Sequence, residues 1–158
     1  MSPFDKYLHA VIVRAMHEVH EDGSAMIDAH HLLLSLAADQ GSTAQQVLAS
    51  AGLDRATVRD ALDREFEHSL SMVGVSPTAY DLPRPCRASR QPKMGASARL
   101  ALERSFASAR KKDLRSAHLL LGILQAQIGT VPRALALAGI DQAELADRVR
   151  QTLNSQDQ

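Results

Sequence analysis

The stretch His31-Leu32-Leu33-Leu34 returns later in the chain as His118-Leu119-Leu120-Leu121. Each copy is followed by a second matching block, Ala51-Gly52-Leu53-Asp54 in the first case and Ala138-Gly139-Ile140-Asp141 in the second. Both blocks recur at a separation of 87 residues. Two motifs that keep one spacing across about twenty residues indicate a tandem duplication of a small structural unit.

The spacing of apolar residues predicts an all-α fold with about eight helices, four in each repeat, related by a pseudo-twofold axis. The two leucine-rich segments are apolar on nearly every side, which is typical of central, buried helices. Leu33, Leu120 and Leu121 are therefore expected to be almost fully buried.

The sequence also predicts N-terminal helix caps and buried apolar faces. The predicted caps are Asp28, Asp54, Ser116 and Asp141. The predicted faces are Val58, Ala61, Leu62 and Phe66 in repeat one, and Leu145, Val149 and Leu153 in repeat two.

The chain is expected to form a single domain over residues 1–158. Repeat one spans residues 4–72, a linker spans 73–95, repeat two spans 96–153, and a loose tail covers 154–158. The first helix is predicted from about Asp5 to Glu21, and the first helix of repeat two from about Ser97 to Lys112. The prolines and arginines of the linker disfavour a regular element.

Composition restricts the class of protein further. Aromatic residues make up 3% of the chain and tryptophan is absent, so leucine, alanine, valine and isoleucine must form the core. Cys86 is the sole cysteine and has no partner for an internal disulfide. The sequence shows neither a signal segment nor a membrane-spanning apolar run, so we expect a soluble cytoplasmic protein.

Charge is distributed unevenly although the net charge is zero. Residues 1–83 carry twelve acidic and five basic side chains, whereas the stretch Arg84–Lys112 carries nine basic side chains and one acid, Glu103. The basic stretch could dock an acidic partner or a nucleic acid. It could equally be a solvated face whose field complements the acidic first half.

The sequence contains no phosphate-binding loop, no dinucleotide-binding glycine pattern and no Gly-x-Ser-x-Gly motif. We therefore predict that the protein is not an enzyme, takes no cofactor, and neither binds nor hydrolyses ATP. The basic neighbours of Cys86 could lower its pKa, but no second cysteine or adjacent histidine supports a redox or nucleophilic role.

The seven histidines raise the question of a metal site. His17 and His20 are three residues apart and do not fit the His-Glu-x-x-His zinc motif. His30 and His31 are adjacent, so a helix should direct them about 100° apart, which makes a poor chelate. His31 and His118 each begin a leucine-rich helix, which favours hydrogen bonding near a helix terminus. We predict no metal ligands.

The duplicated pattern resembles the N-terminal domain of the Clp/Hsp100 unfoldases, particularly those of the ClpC type. The resemblance covers roughly residues 4–153. In the first copy the matching residues are Phe4, Gly23, Ile27, His31, Leu32, Leu33, Leu34, Leu36, Leu48, Gly52 and Leu53. In the second copy they are Ala98, Glu103, Ala109, Leu114, His118 to Leu121, Gly122, Leu124, Leu135 and Gly139.

This resemblance implies a non-catalytic module that binds proteins or peptides. Its partners would be Clp unfoldase or protease components, adaptors or unfolded clients. A free-standing copy without ATPase modules would act as an adaptor, decoy or regulator of Clp-dependent unfolding and degradation. The alternative is a helical regulatory protein that binds nucleic acid through the basic stretch Arg84–Lys112. No group of residues in the sequence supports a third class, a small hydrolase or metal enzyme.

Two departures from the family pattern affect the binding residues that the resemblance implies. ClpC-type domains hold the guanidinium of phosphoarginine with one glutamate per repeat, and His30 and Ala117 stand at those positions. Neither can pair with a cation as a carboxylate does. Met1 and Met94 replace two aromatics of the family's apolar binding patch, and Phe4 fits its opening aromatic. An adaptable methionine patch could persist; otherwise Met1 is a loose terminus and Met94 a hinge contact.

Overall fold

A computed structural model describes residues 2–74 and 92–156. In these ranges the chain forms eight α-helices, two short strands and one 3-10 turn at Lys111–Asp113. The elements of the first half are α1 (Pro3–Asp22), β1 (Met26–Ile27), α2 (Ala29–Ala38), α3 (Thr43–Ser50) and α4 (Arg55–Met72). Those of the second half are β2 (Lys93–Met94), α5 (Ala96–Ala107), α6 (Ser116–Leu124), α7 (Thr130–Leu137) and α8 (Gln142–Gln156).

The helix boundaries show the same duplication as the repeated sequence motifs. Helices α2, α3 and α4 begin at residues 29, 43 and 55, and helices α6, α7 and α8 begin 87 residues later, at 116, 130 and 142. The spacing of the sequence blocks is therefore also the spacing of the helices. The prediction of an all-α fold built from a duplicated four-helix repeat is confirmed.

The leucine-rich helices lie at the centre of the molecule. Leu33, Leu120 and Leu121 are 2%, 0% and 7% exposed, as the sequence predicted. Helix α2 contacts both α5 and α6 of the other repeat, while α4 contacts α7. One apolar cluster thus runs through both repeats. The assignment of the whole chain, 1–158, to a single domain stays a prediction. No helix in the described ranges has the length and apolar character needed to cross a membrane.

Several predicted helix ends are confirmed by their hydrogen bonds. Asp54 Oδ1 accepts from the Thr57 amide at 2.7 Å, and Asp141 Oδ1 accepts from the Glu144 amide at 3.1 Å. The prediction for Ser116 is wrong by one residue, because Arg115 is the N-cap of α6. Ser116 Oγ instead accepts from the Ala44 amide at 3.0 Å and so satisfies the first turn of α3.

The buried face of α4 differs from the prediction at one position. Val58, Ala61 and Leu62 are buried as expected, but Phe66 is 58% exposed. Glu65 is buried in its place, because its carboxylate accepts hydrogen bonds from Ser69 and from Arg133 of α7. A charged residue can replace an apolar one at such a position when its hydrogen bonds are satisfied.

Two helices of the second half end at residues other than those predicted. Helix α5 ends at Ala107 rather than Lys112. The predicted loose tail is wrong for residues 154–156, since α8 continues to Gln156. The side chain of Gln156 accepts from Arg115 at 2.9 Å and donates to Thr43 Oγ1 at 3.1 Å, which ties the last turn to the rest of the protein.

The strands β1 and β2 were not predicted. They pair in parallel, with Met26 opposite Lys93 and Ile27 opposite Met94. The Gly95 amide extends this pairing by donating to the Ile27 carbonyl at 2.7 Å. Residues 92–95 of the predicted linker are therefore joined to repeat one. The remainder of that linker, including Cys86, lies outside the described residues.

Candidate peptide-binding surface

The repeated histidine caps the leucine-rich helix in both halves. His31 Nδ1 accepts from the Asp28 amide at 2.9 Å, and His118 Nδ1 accepts from the Arg115 amide at 3.0 Å. In each case the histidine is the third helical residue and reaches back to the N-cap amide, as glutamate does in a capping box. Each ring thus hydrogen-bonds at a helix terminus, as the sequence predicted.

His31 also connects α2 to the end of α1. Its Nε2 lies 2.8 Å from Asp22 Oδ2, and the ring is fully buried. Because Nδ1 accepts a backbone hydrogen bond, the proton of the neutral ring must lie on Nε2, which donates to Asp22. Burial alone would raise the pKa of Asp22, but the hydrogen bonds from His31 and Ser24 outweigh it and lower the pKa to about 2.

His30 lies beside this pair. Its ring centroid is 4.0 Å from that of His31, so the expectation that the two rings point well apart is wrong. Burial, together with the nearby His31 ring, lowers the pKa of His30 to about 4. His30 is therefore neutral at pH 7.

Among the described residues, one group of three potential metal ligands comes together, with the ligand atoms of Asp22, His30 and His31 within 4.8 Å of one another. A metal on His31 would have to bind Nε2, which carries the proton. Removing that proton while Nδ1 accepts from Asp28 would require an imidazolate. The cluster is therefore arranged for hydrogen bonding, and the absence of metal ligands stays a prediction.

A cavity of about 570 Å³ lies next to the paired strands. Its wall includes Met26 of β1, Met94 of β2, and Leu100 of α5. Met94 is half-buried and packs against the core, whereas Met26 and Leu100 are 49% and 45% exposed. Met94 thus lies in an apolar depression that is open to solvent.

A second cavity of about 300 Å³ lies between the start of α2, helix α5 and the segment joining α6 to α7. Leu100 lines this cavity as well as the first, so the two depressions adjoin at this side chain. His30 forms part of its wall, and Ile128, at 89% exposure, forms part of its rim. The two adjoining depressions are together called the Leu100 groove below, and their lining includes the large apolar side chains of Met26, Met94, Leu100 and Ile128.

The structure brings together some of the predicted site residues and separates others. Met94 and His30 line adjoining parts of the Leu100 groove. Phe4 is buried and packs edge-on against Phe106, with ring centroids 6.4 Å apart, so most of its surface serves the core. Ala117 is fully buried. Met1 lies outside the described residues.

Sequence reasoning missed Met26, Leu100 and Ile128. Leu100 falls within a predicted helix, where an isolated leucine is usually assigned to the core. Its exposure depends on which helices pack beside α5. For Met26, the signal in the sequence was its position immediately before the matched residue Ile27.

The chain belongs to a family of protein-binding modules. Residues 3–85, slightly more than half of the chain, match the family described as the Clp repeat (R) N-terminal domain. The chain is therefore a member of the Clp N-terminal domain family, whose domains are associated with Clp chaperones.

One similar solved structure is the N-terminal domain of the caseinolytic protease associated chaperone ClpD from Arabidopsis thaliana. The TM-score is 0.61 at 19% sequence identity, with 92% of this chain and 93% of that chain covered. At this level of identity the likeness establishes the fold. No curated protein matches the sequence.

Proposed function

We propose that this protein is a non-catalytic module that captures protein or peptide segments in the Leu100 groove and acts as an adaptor, decoy or regulator of Clp-dependent unfolding and degradation. Membership of the Clp N-terminal domain family is the observation that carries the proposal. Its expected partners are Clp unfoldase or protease components, adaptors or unfolded clients.

The composition of the groove supports this role. Monomeric proteins bury most of their large apolar side chains, and a contiguous exposed apolar patch is typical of an interaction site. The methionines add side chains that adjust to different partners at little cost. Phe4 and Met1 remain candidates for a contribution at the N-terminus of α1. The comparisons lend no support to the alternative, a nucleic-acid-binding protein.

The proposal is tested by capture from native lysate on the immobilised protein, with Clp subunits and unfolded clients quantified by mass spectrometry. A Met26→Asp/Leu100→Asp variant should lose most of the captured protein. The control variant, Val13→Asp/Leu137→Asp, changes two exposed apolar residues outside the groove, at 45% and 39% exposure. If neither Clp subunits nor clients are enriched over a blank resin, the proposed function is wrong.

A further inference from the structure

Three basic side chains border the Leu100 groove. Lys93 and Arg99 line its first cavity, and Arg104 lines the second. None of these three forms an ion pair with another described residue. On α8, by contrast, Arg148 pairs with Glu144 at 3.3 Å and Arg150 pairs with Asp147 at 2.8 Å. Within residues 2–74 and 92–156, these three positive charges are therefore left for contact with a partner.

The acidic side chains near the groove do not cancel this charge. Glu103 borders the first cavity, and Asp28 borders the second, where its Oδ1 accepts from Ser97 Oγ at 3.2 Å. A fourth cation, Arg133, lies at the second cavity but is paired with Glu65 at 2.8 Å. In the part of the chain that the structure describes, three unpaired cations therefore face two acids, one of which is held by a hydrogen bond within the protein.

We propose that the Leu100 groove selects acidic amphipathic segments of partner proteins, whose apolar side chains contact Met26, Met94 and Leu100 while their carboxylates meet Lys93, Arg99 and Arg104. This proposal rests on the proposed function and adds the chemical class of the partner. Complementary charge at the edge of an apolar contact mainly improves specificity and association rate.

A protein segment suits this surface better than a nucleic acid does. Proteins that hold single strands combine cations with aromatic side chains on which the bases stack. The described residues that line the two cavities include no phenylalanine, tyrosine or tryptophan. The floor is instead formed by thioether and aliphatic groups, which match leucine, isoleucine or methionine side chains of a peptide.

The test uses three fluorescein-labelled synthetic peptides and the full chain, with binding followed by fluorescence anisotropy at low and high salt. The first peptide has leucines at helical spacing and glutamates between them. The second keeps the leucines and replaces the glutamates with lysines, and the third keeps the glutamates and replaces the leucines with serines. The first peptide should bind at least about tenfold more tightly than either of the others, and added salt should weaken its binding.

Two groove variants and two matched controls connect binding to the groove. Leu100→Asp and Arg99→Glu/Arg104→Glu should each weaken binding of the acidic peptide by about tenfold or more, the range of an interface hot spot. The charge-reversed double variant should also gain affinity for the lysine peptide. Val13→Asp and Arg64→Glu/Lys112→Glu change exposed residues outside both cavities and should alter binding less than about twofold. Circular dichroism establishes that each variant is folded.

Several results would overturn the proposal. They are equal or tighter binding of the lysine peptide, no binding of the acidic peptide to the folded protein, and an unchanged affinity in both groove variants. Displacement of the acidic peptide by random duplex DNA, with the same dependence on Arg99 and Arg104, would assign the groove to nucleic acid instead. If lysate capture persists while the peptides fail, the module binds proteins but not by this specificity, so the two proposals fail separately.

Discussion

Arg133 of the second repeat donates through Nε to Glu65 Oε1 of the first repeat at 2.8 Å, and this ion pair joins α7 to α4. The carboxylate is buried while the guanidinium is more than half exposed. Burial raises the pKa of Glu65, but the hydrogen bonds from Ser69 and Arg133 outweigh it, so the net pKa lies below its usual value.

Arg133→Ala should lower the free energy of unfolding by about 1–3 kcal/mol, because it leaves a buried carboxylate with less compensation. Arg148→Ala, which breaks an exposed pair on α8, should cost less than about 1 kcal/mol. Urea denaturation of both variants measures the difference. Equal, small losses would show that the contact between the repeats does not depend on this pair.

His31 should stabilise the protein more than an ordinary helix cap does. Loss of a cap costs about 0.5–2 kcal/mol, and Asp54→Ala at the start of α4 should fall in that range. His31→Ala should cost about 2–4 kcal/mol, since it also removes the bond to Asp22 and empties a fully buried site. Thermal and urea unfolding compare the two variants, and an equal cost would contradict the structural role assigned to the Asp22 contact.

Stability should decrease as the pH falls from about 6.5 to about 4. The unfolded chain protonates His30 near pH 6.5, whereas burial lowers the folded-state pKa to about 4. The unfolded state therefore binds more protons across this window and is favoured by acid, by on the order of 3 kcal/mol in total. Below about pH 4, protonation of Asp22, whose folded-state pKa is about 2, adds to the loss.

The measurement is the free energy of unfolding at a series of pH values. His30→Gln should flatten the dependence between pH 6.5 and 4. The control, His68→Gln, changes an exposed histidine and should leave the dependence intact. An unchanged slope in His30→Gln would assign the effect to other groups.

Gly122 permits the close approach of α6 to α5. A Cβ atom at this position would clash with Ser105 Oγ and with the Ala101 carbonyl oxygen. Gly122→Ala should therefore destabilise the protein by about 1–3 kcal/mol, although alanine favours an isolated helix by about 1 kcal/mol. A stabilised Gly122→Ala variant in thermal unfolding would show that the helices can separate without cost.

The protein should bind free phosphoarginine weakly. His30 is neutral at pH 7 and Ala117 offers no acceptor, so neither can hold a guanidinium as a carboxylate does. Introducing a carboxylate with His30→Glu should improve affinity by about tenfold to a hundredfold if the rest of that pocket is intact, whereas the fully buried Ala117 leaves no room for a glutamate. Asp22 Oδ2, 3.9 Å from the His30 ring, should limit the gain at the first position. Calorimetry on both forms decides this, and tight binding by the unaltered protein would contradict the prediction.

Features that depend on neighbouring residues could be predicted from the sequence. The duplication, the buried leucines and the Asp54 and Asp141 caps follow from patterns within a few turns of helix. The hydrogen-bonding role of His31 at a helix terminus also followed from its position. Its partner Asp22 did not, because the contact requires the turn after α1 to bring the two helix ends together.

Features that depend on tertiary packing could not be predicted from the sequence. Glu65 rather than Phe66 lies on the buried face of α4, and this arrangement requires Arg133, which belongs to the other repeat. Strand β2 was missed because two residues carry no detectable periodicity. The Leu100 groove exists because α5 presents Leu100 beside Met26, and nothing in the local sequence of either residue indicates that arrangement.

The pairing of β1 with β2 bears on what the duplication produced. The second repeat begins by hydrogen bonding to the first, through Met94 opposite Ile27 and the Gly95 amide on the Ile27 carbonyl. The core then continues across both halves. The halves therefore share one core, as the subunits of an obligate heterodimer do. Cleavage between residues 74 and 92 should leave two fragments that stay associated, and this makes the chain a natural candidate for a split-protein pair.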